Sequence, residues 1–279
     1  MPSLTVVRNL SLAVVMLTVS LAASAAEHQF PTLWLIGDST VNNGSGKGEG
    51  GLWGWGAPLA GYFDKAKITV VNRARGGRSS RTFFTEGLWE KVVAELKPGD
   101  FVLMQFGHND GGPLDGPKGR ASLKGNGEET KAIAIQTGDQ TEVVHSYGWY
   151  IRKYIADAKA KGATPFVLSQ IPRNIWKDGK VARASGDYGK WAEEAATQGG
   201  ALFIDLNDIV GRRYEVFGQD KVKLDFFTEK DHTHTTAAGA RENAAAVIEG
   251  IRNLKDCPLS ALIAEVPGNW TPGSPADRR

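Results

Sequence analysis

The sequence predicts one three-layer α/β/α domain on a five-stranded parallel sheet. Three observations predict it. Short apolar runs alternate with amphipathic helical stripes five times, the pattern of right-handed strand–helix–strand crossovers. No internal repeat or second domain interrupts that alternation. The unusual polar residues follow the apolar runs, where loops emerge at the carboxyl edge of a parallel sheet.

The first run, LWLI at residues 33–36, follows Pro31 and reads as a buried strand ended by the turn residues Gly37 and Asp38. A Gly-rich stretch follows, then the aromatic segment 53–63, which is periodic enough for a helix starting near Pro58. Residues 68–71 are β-branched and form the second strand, leading into the loop NRARGGRSSR at 72–81. Leu88, Trp89, Val92, Val93 and Leu96 recur at helical spacing until Pro98 and Gly99 stop them. FVLMQF at 101–106 is the third strand. Residues 111–140 are Gly-rich and charged, a long loop of the kind that is functional or disordered inside a compact domain. Val143, Tyr147, Tyr150, Ile151, Tyr154, Ile155 and Ala158 mark an amphipathic helix ending near Gly162. PFVLSQ at 165–170 is the fourth strand; Tyr188, Trp191, Ala192 and Ala195 mark the next helix. LFIDL at 202–206 is the fifth strand, and the stripe from Ala240 to Leu254 is the last helix. The proline-rich tail beyond has packing potential only over 259–266.

Composition narrows the class. Arg8, the apolar stretch 10–23 and the small residues 22–26 have the form of a secretory signal peptide, cleaved after Ala25 or Ala26. That implies a secreted or periplasmic protein, with no membrane attachment after cleavage, and domain bounds of 1–26 for the leader, 27–255 for the catalytic domain and 256–279 for the tail. A net charge of +2 argues against nucleic-acid binding. Cys257 is the only cysteine, so no internal disulfide forms and packing carries the stability. A monomer is expected.

Four segments converge at the carboxyl edge: Ser39 after the first strand, Gly77 after the second, Asn109 after the third, and DHTH at 231–234 before the last helix. Together they suit acyl transfer. A serine hydroxyl needs a base to take its proton, and the base needs a carboxylate to hold its tautomer. Ser39 can be the nucleophile, His234 the base and Asp231 the orienting acid. The tetrahedral intermediate needs donors for its oxyanion, and the N–H groups of Ser39 and Gly77 with the Asn109 amide are candidates. Two rival readings stay open. Asn109 could be a turn residue, and Asp231, His232 and His234 could form a zinc set. The second would leave Ser39 and Asn109 without a task, so no metal or cofactor is expected.

GDST, ARGGRS, GHND and DHTH resemble blocks I, II, III and V of the SGNH (GDSL-type) hydrolases, and more closely the rhamnogalacturonan acetylesterase branch, where DHTH is followed by AGA. The resemblance spans residues 33 to about 254. It implies a flavodoxin-like sandwich, a Ser39–His234–Asp231 triad, and Ser39, Gly77 and Asn109 around the oxyanion. The chain departs at Gly76, where fungal relatives carry a non-glycine residue, and in lacking the cysteines of some relatives' tail disulfide. The activity implied is removal of O-acetyl groups from plant cell-wall polysaccharide, most simply acetylated rhamnogalacturonan. A general lipase, thioesterase or arylesterase and a catalytically silent polysaccharide binder are the alternatives. Arg73, Arg75, Arg78 and Arg81 crowd the second loop, and Trp53, Trp55 and Trp176 lie near the same edge. Of these, Arg78 is the candidate for sugar carboxylates and Trp176 for sugar rings.

Overall fold

The computed structural model describes residues 30–134, 141–183, 187–267 and 270. The expected leader at 1–26 and the end of the tail lie outside them.

In chain order, β1 (Thr32–Gly37) is followed by the two-residue β2 (Leu52–Trp53), the single turn α1 (Gly56–Leu59) and β3 (Thr69–Asn72). Next come α2 (Ser80–Thr85), α3 (Leu88–Glu95) and β4 (Phe101–Gln105). The hairpin β5 (Thr130–Ala134) and β6 (Thr141–His145) leads to α4 (Tyr147–Ala160) and β7 (Thr164–Leu168). A small ribbon, β8 (Trp176–Lys177) and β9 (Lys180–Val181), precedes α5 (Tyr188–Gly199), β10 (Leu202–Ile204) and α6 (Leu206–Phe217). The one-turn α7 (Gln219–Lys221), β11 (Phe227–Thr228), β12 (Asp231–Thr236) and α8 (Ala237–Asn253) follow.

The central sheet has the order β10-β7-β4-β1-β3 with every pairing parallel. Successive strand residues face opposite layers, so apolar residues at every position bury both faces. Leu33, Leu35, Leu103 and Phe166 meet Leu59, Val210, Tyr214 and Val247 on the side of α1, α6 and α8. Trp34, Ile36, Met104 and Val167 meet Phe83, Trp89, Tyr154 and Ala192 on the side of α2 to α5. The expected three-layer sandwich is the one observed.

The helix expected near Pro58 is present as α1 and the 3-10 turn Ala60–Tyr62 that continues it, while ahead of it Trp53 pairs with Thr235, and Gly54 passes so close to the Ser39 loop that a Cβ would lie 2.3 Å from the Val41 carbonyl carbon. Three local expectations differ. Val143 belongs to β6, pairing with Ala132, and α4 begins only after Ser146, whose hydroxyl accepts from Trp149 N–H at 3.1 Å. The stretch 111–140 carries β5, so it is not wholly loop. Helix α6 is an addition to the expected elements; Asp205 caps it by accepting from Asp208 N–H, and Leu206, Ile209, Val210 and Tyr214 supply its buried stripe. In the tail, Cys257 and Leu259 are buried in the core and Ile263 bridges to Phe63, while Val266 is exposed.

Candidate active site

Ser39 stands on a tight turn at the end of β1. Gly37 has no room for a side chain, since a Cβ would lie 2.5 Å from the Gln105 carbonyl oxygen. Asp38 is fully buried, and its Oδ1 accepts from the Thr40 N–H (2.8 Å) and hydroxyl (2.7 Å). Its carbonyl accepts from the N–H groups of Val41 and Asn42. Gln105 ties this turn to β4, donating to Thr40 Oγ1 and accepting from Trp55 Nε1 at 2.9 Å. The inward residues on either side are thereby locked, and Ser39 is left half-buried at the surface of the turn.

DHTHTT is a strand, not the loop its polarity suggests. β12 is clasped by β11 and β2, with Thr235 opposite both Phe227 and Trp53 and its hydroxyl donating to the Trp53 carbonyl. Asp231 Oδ1 accepts from the N–H groups of Thr233 (2.7 Å) and His234 (2.9 Å). Its Oδ2 lies 2.6 Å from His234 Nδ1, and His234 Nε2 lies 2.8 Å from Ser39 Oγ. Burial pushes the Asp231 carboxyl up, but the His234 and Thr233 hydrogen bonds outweigh it and hold the group below its ordinary range.

The second loop continues β3 alongside β1, through Arg73 N–H to Leu35 O and Arg75 N–H to Gly37 O, and then turns. Gly77 has φ 77°, the left-handed region that glycine adopts without a Cβ penalty. A Cβ on Gly76 would lie 3.6 Å from the Ser39 Cβ, so the turn runs beside the serine with room for about one carbon between them. Ser79 and Thr82 form a capping box that starts α2 immediately after it. Asn109 is buried and donates from Nδ2 to Arg78 O at 3.0 Å, which uses one of its two amide hydrogens. Next to it, Asp110 accepts from Ser80 N–H and from Ser122 Oγ, both at 3.0 Å. Burial pushes the Asp110 carboxyl up to about 6, against those hydrogen bonds. Among the described residues, the N–H groups of Ser39 and Gly77 donate to no protein acceptor. β1 and β4, which carry Ser39 and Asn109, are the neighbours where the strand order reverses, the place at which open α/β sheets form their crevice.

The arginines of the second loop are mostly committed elsewhere. Arg73 bonds both carboxylate oxygens of Glu95 at 2.9 Å, and Arg81 is buried against Glu142. Arg78 pairs with Glu86 at 2.9 Å and donates to Gly76 O, so a substrate carboxylate would compete with Glu86 for it. Trp53 and Trp55 are core residues. Trp176 is half-buried beside the histidine strand; its Nε1 donates to Asn174 Oδ1, and Asn174 N–H donates to His232 O at 2.8 Å. With Asp231, His232, Lys223 and Lys230 it lines a cleft of about 300 Å³. Both His234 ring nitrogens are engaged, and among the described residues no three metal-ligating side chains converge. Two residues that sequence reasoning left aside sit close by. His108 lies within the field of Asp38, Arg173 and His234, with burial lowering its pKa, and Arg120 Nη1 donates to Gly77 O.

Known proteins share this fold. Residues 35–242 match the GDSL-like Lipase/Acylhydrolase family. A rhamnogalacturonan acetylesterase of Emericella nidulans is 33% identical over 220 residues, covering 79% of this chain and 84% of the relative. A probable rhamnogalacturonan acetylesterase of Bacillus subtilis, YesY, is 31% identical over 83% of this chain and 96% of its own. Among solved structures, the Bacillus subtilis protein YxiM superposes with a TM-score of 0.63 at 24% identity, over 80% of this chain and 56% of that longer one. A single-site mutant of Axe2, an acetyl-xylooligosaccharide esterase of Geobacillus stearothermophilus, superposes with a TM-score of 0.55 at 21% identity, over 81% and 95%. The structural matches share the fold, and the sequence matches extend over most of both chains: the protein belongs to the GDSL-like lipase/acylhydrolase family of SGNH hydrolases.

Proposed function

We propose that the protein is an exported serine esterase that removes O-acetyl groups from plant cell-wall polysaccharide, acetylated rhamnogalacturonan above all. The observation that carries this is the chain of short contacts from Asp231 through His234 to Ser39. Asp231 holds the His234 Nδ1–H, so Nε2 faces Ser39 as an acceptor. His234 takes the hydroxyl proton as Ser39 Oγ attacks the acetyl carbon. The oxyanion is met by the N–H groups of Ser39 and Gly77 and by the remaining Asn109 amide hydrogen. Collapse expels the sugar hydroxyl with the proton from His234. Water, deprotonated by the same imidazole, then cleaves the acetyl-enzyme to acetate and restores Ser39. Trp176 offers an aromatic face beside this centre, which suits a sugar ring. The names of the relatives point to acetylated polysaccharide, and the leader at 1–26 to export.

The test compares acetate release from acetylated rhamnogalacturonan fragments, acetyl-xylan and long-chain esters, by the wild type and by Ser39→Ala. Release from the pectic fragments that Ser39→Ala abolishes supports the reading. Preference for long acyl chains would move it to a general lipase, and binding without hydrolysis to a silent polysaccharide binder.

A further inference from the structure

Residues 111–122 form no helix or strand, yet they are fastened along their length. Arg81, 4% exposed on α2, donates Nη1 to the carbonyls of Leu114 (2.7 Å) and Ala121 (2.8 Å) and grips both oxygens of Glu142. Ser122 is held by Asp110, and the Ser79 hydroxyl donates to the Arg120 carbonyl. Arg120 N–H donates to Pro113 O at 3.2 Å. The backbone of Arg120 is therefore fixed against the helix cap two residues beyond Gly77.

Its side chain lies at the mouth of the site. Nη1 donates to Gly77 O at 3.2 Å and would be 3.5 Å from a Cβ on Gly77; a Cβ on the adjoining Gly76 would lie 3.6 Å from the Ser39 Cβ. Arg120 is exposed, and among the described residues no carboxylate pairs with it, unlike Arg73, Arg78 and Arg81. Arg75, exposed on the same turn, has no ion pair among the described residues either. A guanidinium presents a planar fork of donors that matches a carboxylate, and Arg120 uses one arm of that fork on Gly77. Arg120 is exposed, so its remaining donors are open to solvent on the turn that carries the candidate oxyanion donor Gly77.

We propose that Arg120 is a specificity-determining residue that binds the carboxylate of a uronic-acid unit at or next to the acetylated sugar. This rests on the esterase reading and names the charge of its substrate. It also assigns a task to the long segment after Asn109, which adds an unpaired cation on Gly77 to the one that the second loop, with Arg73, Arg78 and Arg81 paired internally, leaves in Arg75.

The test is the ratio of kcat/KM for acetylated galacturonate oligosaccharides with free carboxylates to that for the same oligosaccharides methyl-esterified. The wild type should favour the free acid about tenfold, the scale of one charge-assisted contact. Arg120→Gln should bring the ratio close to one, chiefly through KM, and Arg120→Lys should keep part of it. High salt should erode the wild-type preference. Independently of turnover, calorimetry on Ser39→Ala should show unacetylated galacturonate oligomers binding about tenfold more weakly once Arg120→Gln is added. Equal rates on both substrate forms, or a preference that survives Arg120→Gln, would overturn the proposal. Ser39-dependent hydrolysis without carboxylate preference would remove this inference and leave the esterase. Arg120-dependent binding without hydrolysis would do the reverse.

Discussion

Replacing Asp231 by Asn tests how the site works while leaving its packing in place. Asp231 Oδ1 accepts two backbone hydrogen bonds, from Thr233 and His234, and Oδ2 faces the imidazole. An asparagine side chain can keep the first two only by placing its oxygen at Oδ1, which puts its NH₂ opposite His234 Nδ1. The imidazole must then accept at Nδ1 and carry its proton on Nε2, so it donates to Ser39 instead of accepting from it. The base is lost with no atom removed. Holding a triad histidine in the wrong tautomer lowers kcat by about 10⁴, or ~5 kcal/mol of barrier. Asp231→Ala also removes the acceptor for two backbone N–H groups and should lower stability by about 1–3 kcal/mol, whereas Asp231→Asn should not. Hydrolysis of p-nitrophenyl acetate gives the rate and urea denaturation the stability. Turnover of Asp231→Asn within tenfold of wild type, with the fold intact, would show that Asp231 does not set the histidine tautomer.

Removing the side-chain amide in Asn109→Ala should lower kcat about 10²–10³-fold with little change in KM; a change below tenfold means that Asn109 is not an oxyanion donor. Asp110 titrates at about 6 in the fold against 3.8 as a free side chain, burial being the main cause. The folded state thus holds a proton that the unfolded chain releases, so this group's stabilisation is full below pH ~3.8 and is lost, by roughly 3 kcal/mol, as pH rises through ~6. Urea midpoints from pH 4 to 7 should show the wild type losing ground to Asp110→Asn across that window; a constant difference would contradict the raised pKa. Leu259 lies beyond the expected domain end at 255 yet is fully buried in the core, so Leu259→Ala should destabilise by about 2–5 kcal/mol in urea. A loss under 1 kcal/mol would support the boundary at 255.

The five sheet strands were legible because a strand covered on both faces must be apolar at nearly every position, and FVLMQ or LWLI leaves little alternative. The order of the polar motifs along the chain likewise pointed to one edge of the sheet, because parallel strands emit their carboxyl-end loops on the same side. Strand β12 was hidden: DHTHTT has no apolar pattern, and it is extended because β2 and β11 supply its partners. The arginines were equally opaque. In sequence, 73, 78 and 81 look like a cationic cluster, but Glu95, Glu86 and Glu142 neutralise them from other segments. Arg120, unremarkable in its stretch, reaches Gly77 because Arg81 and Ser79 fix the backbone that carries it. Apolar patterning and turn chemistry are written in neighbours along the chain, so the residues themselves determined the layers and the loops. Which charge meets which, and how closely Ser39 approaches a histidine 195 positions away, depends on contacts between distant segments, and only the closed tertiary structure decided those.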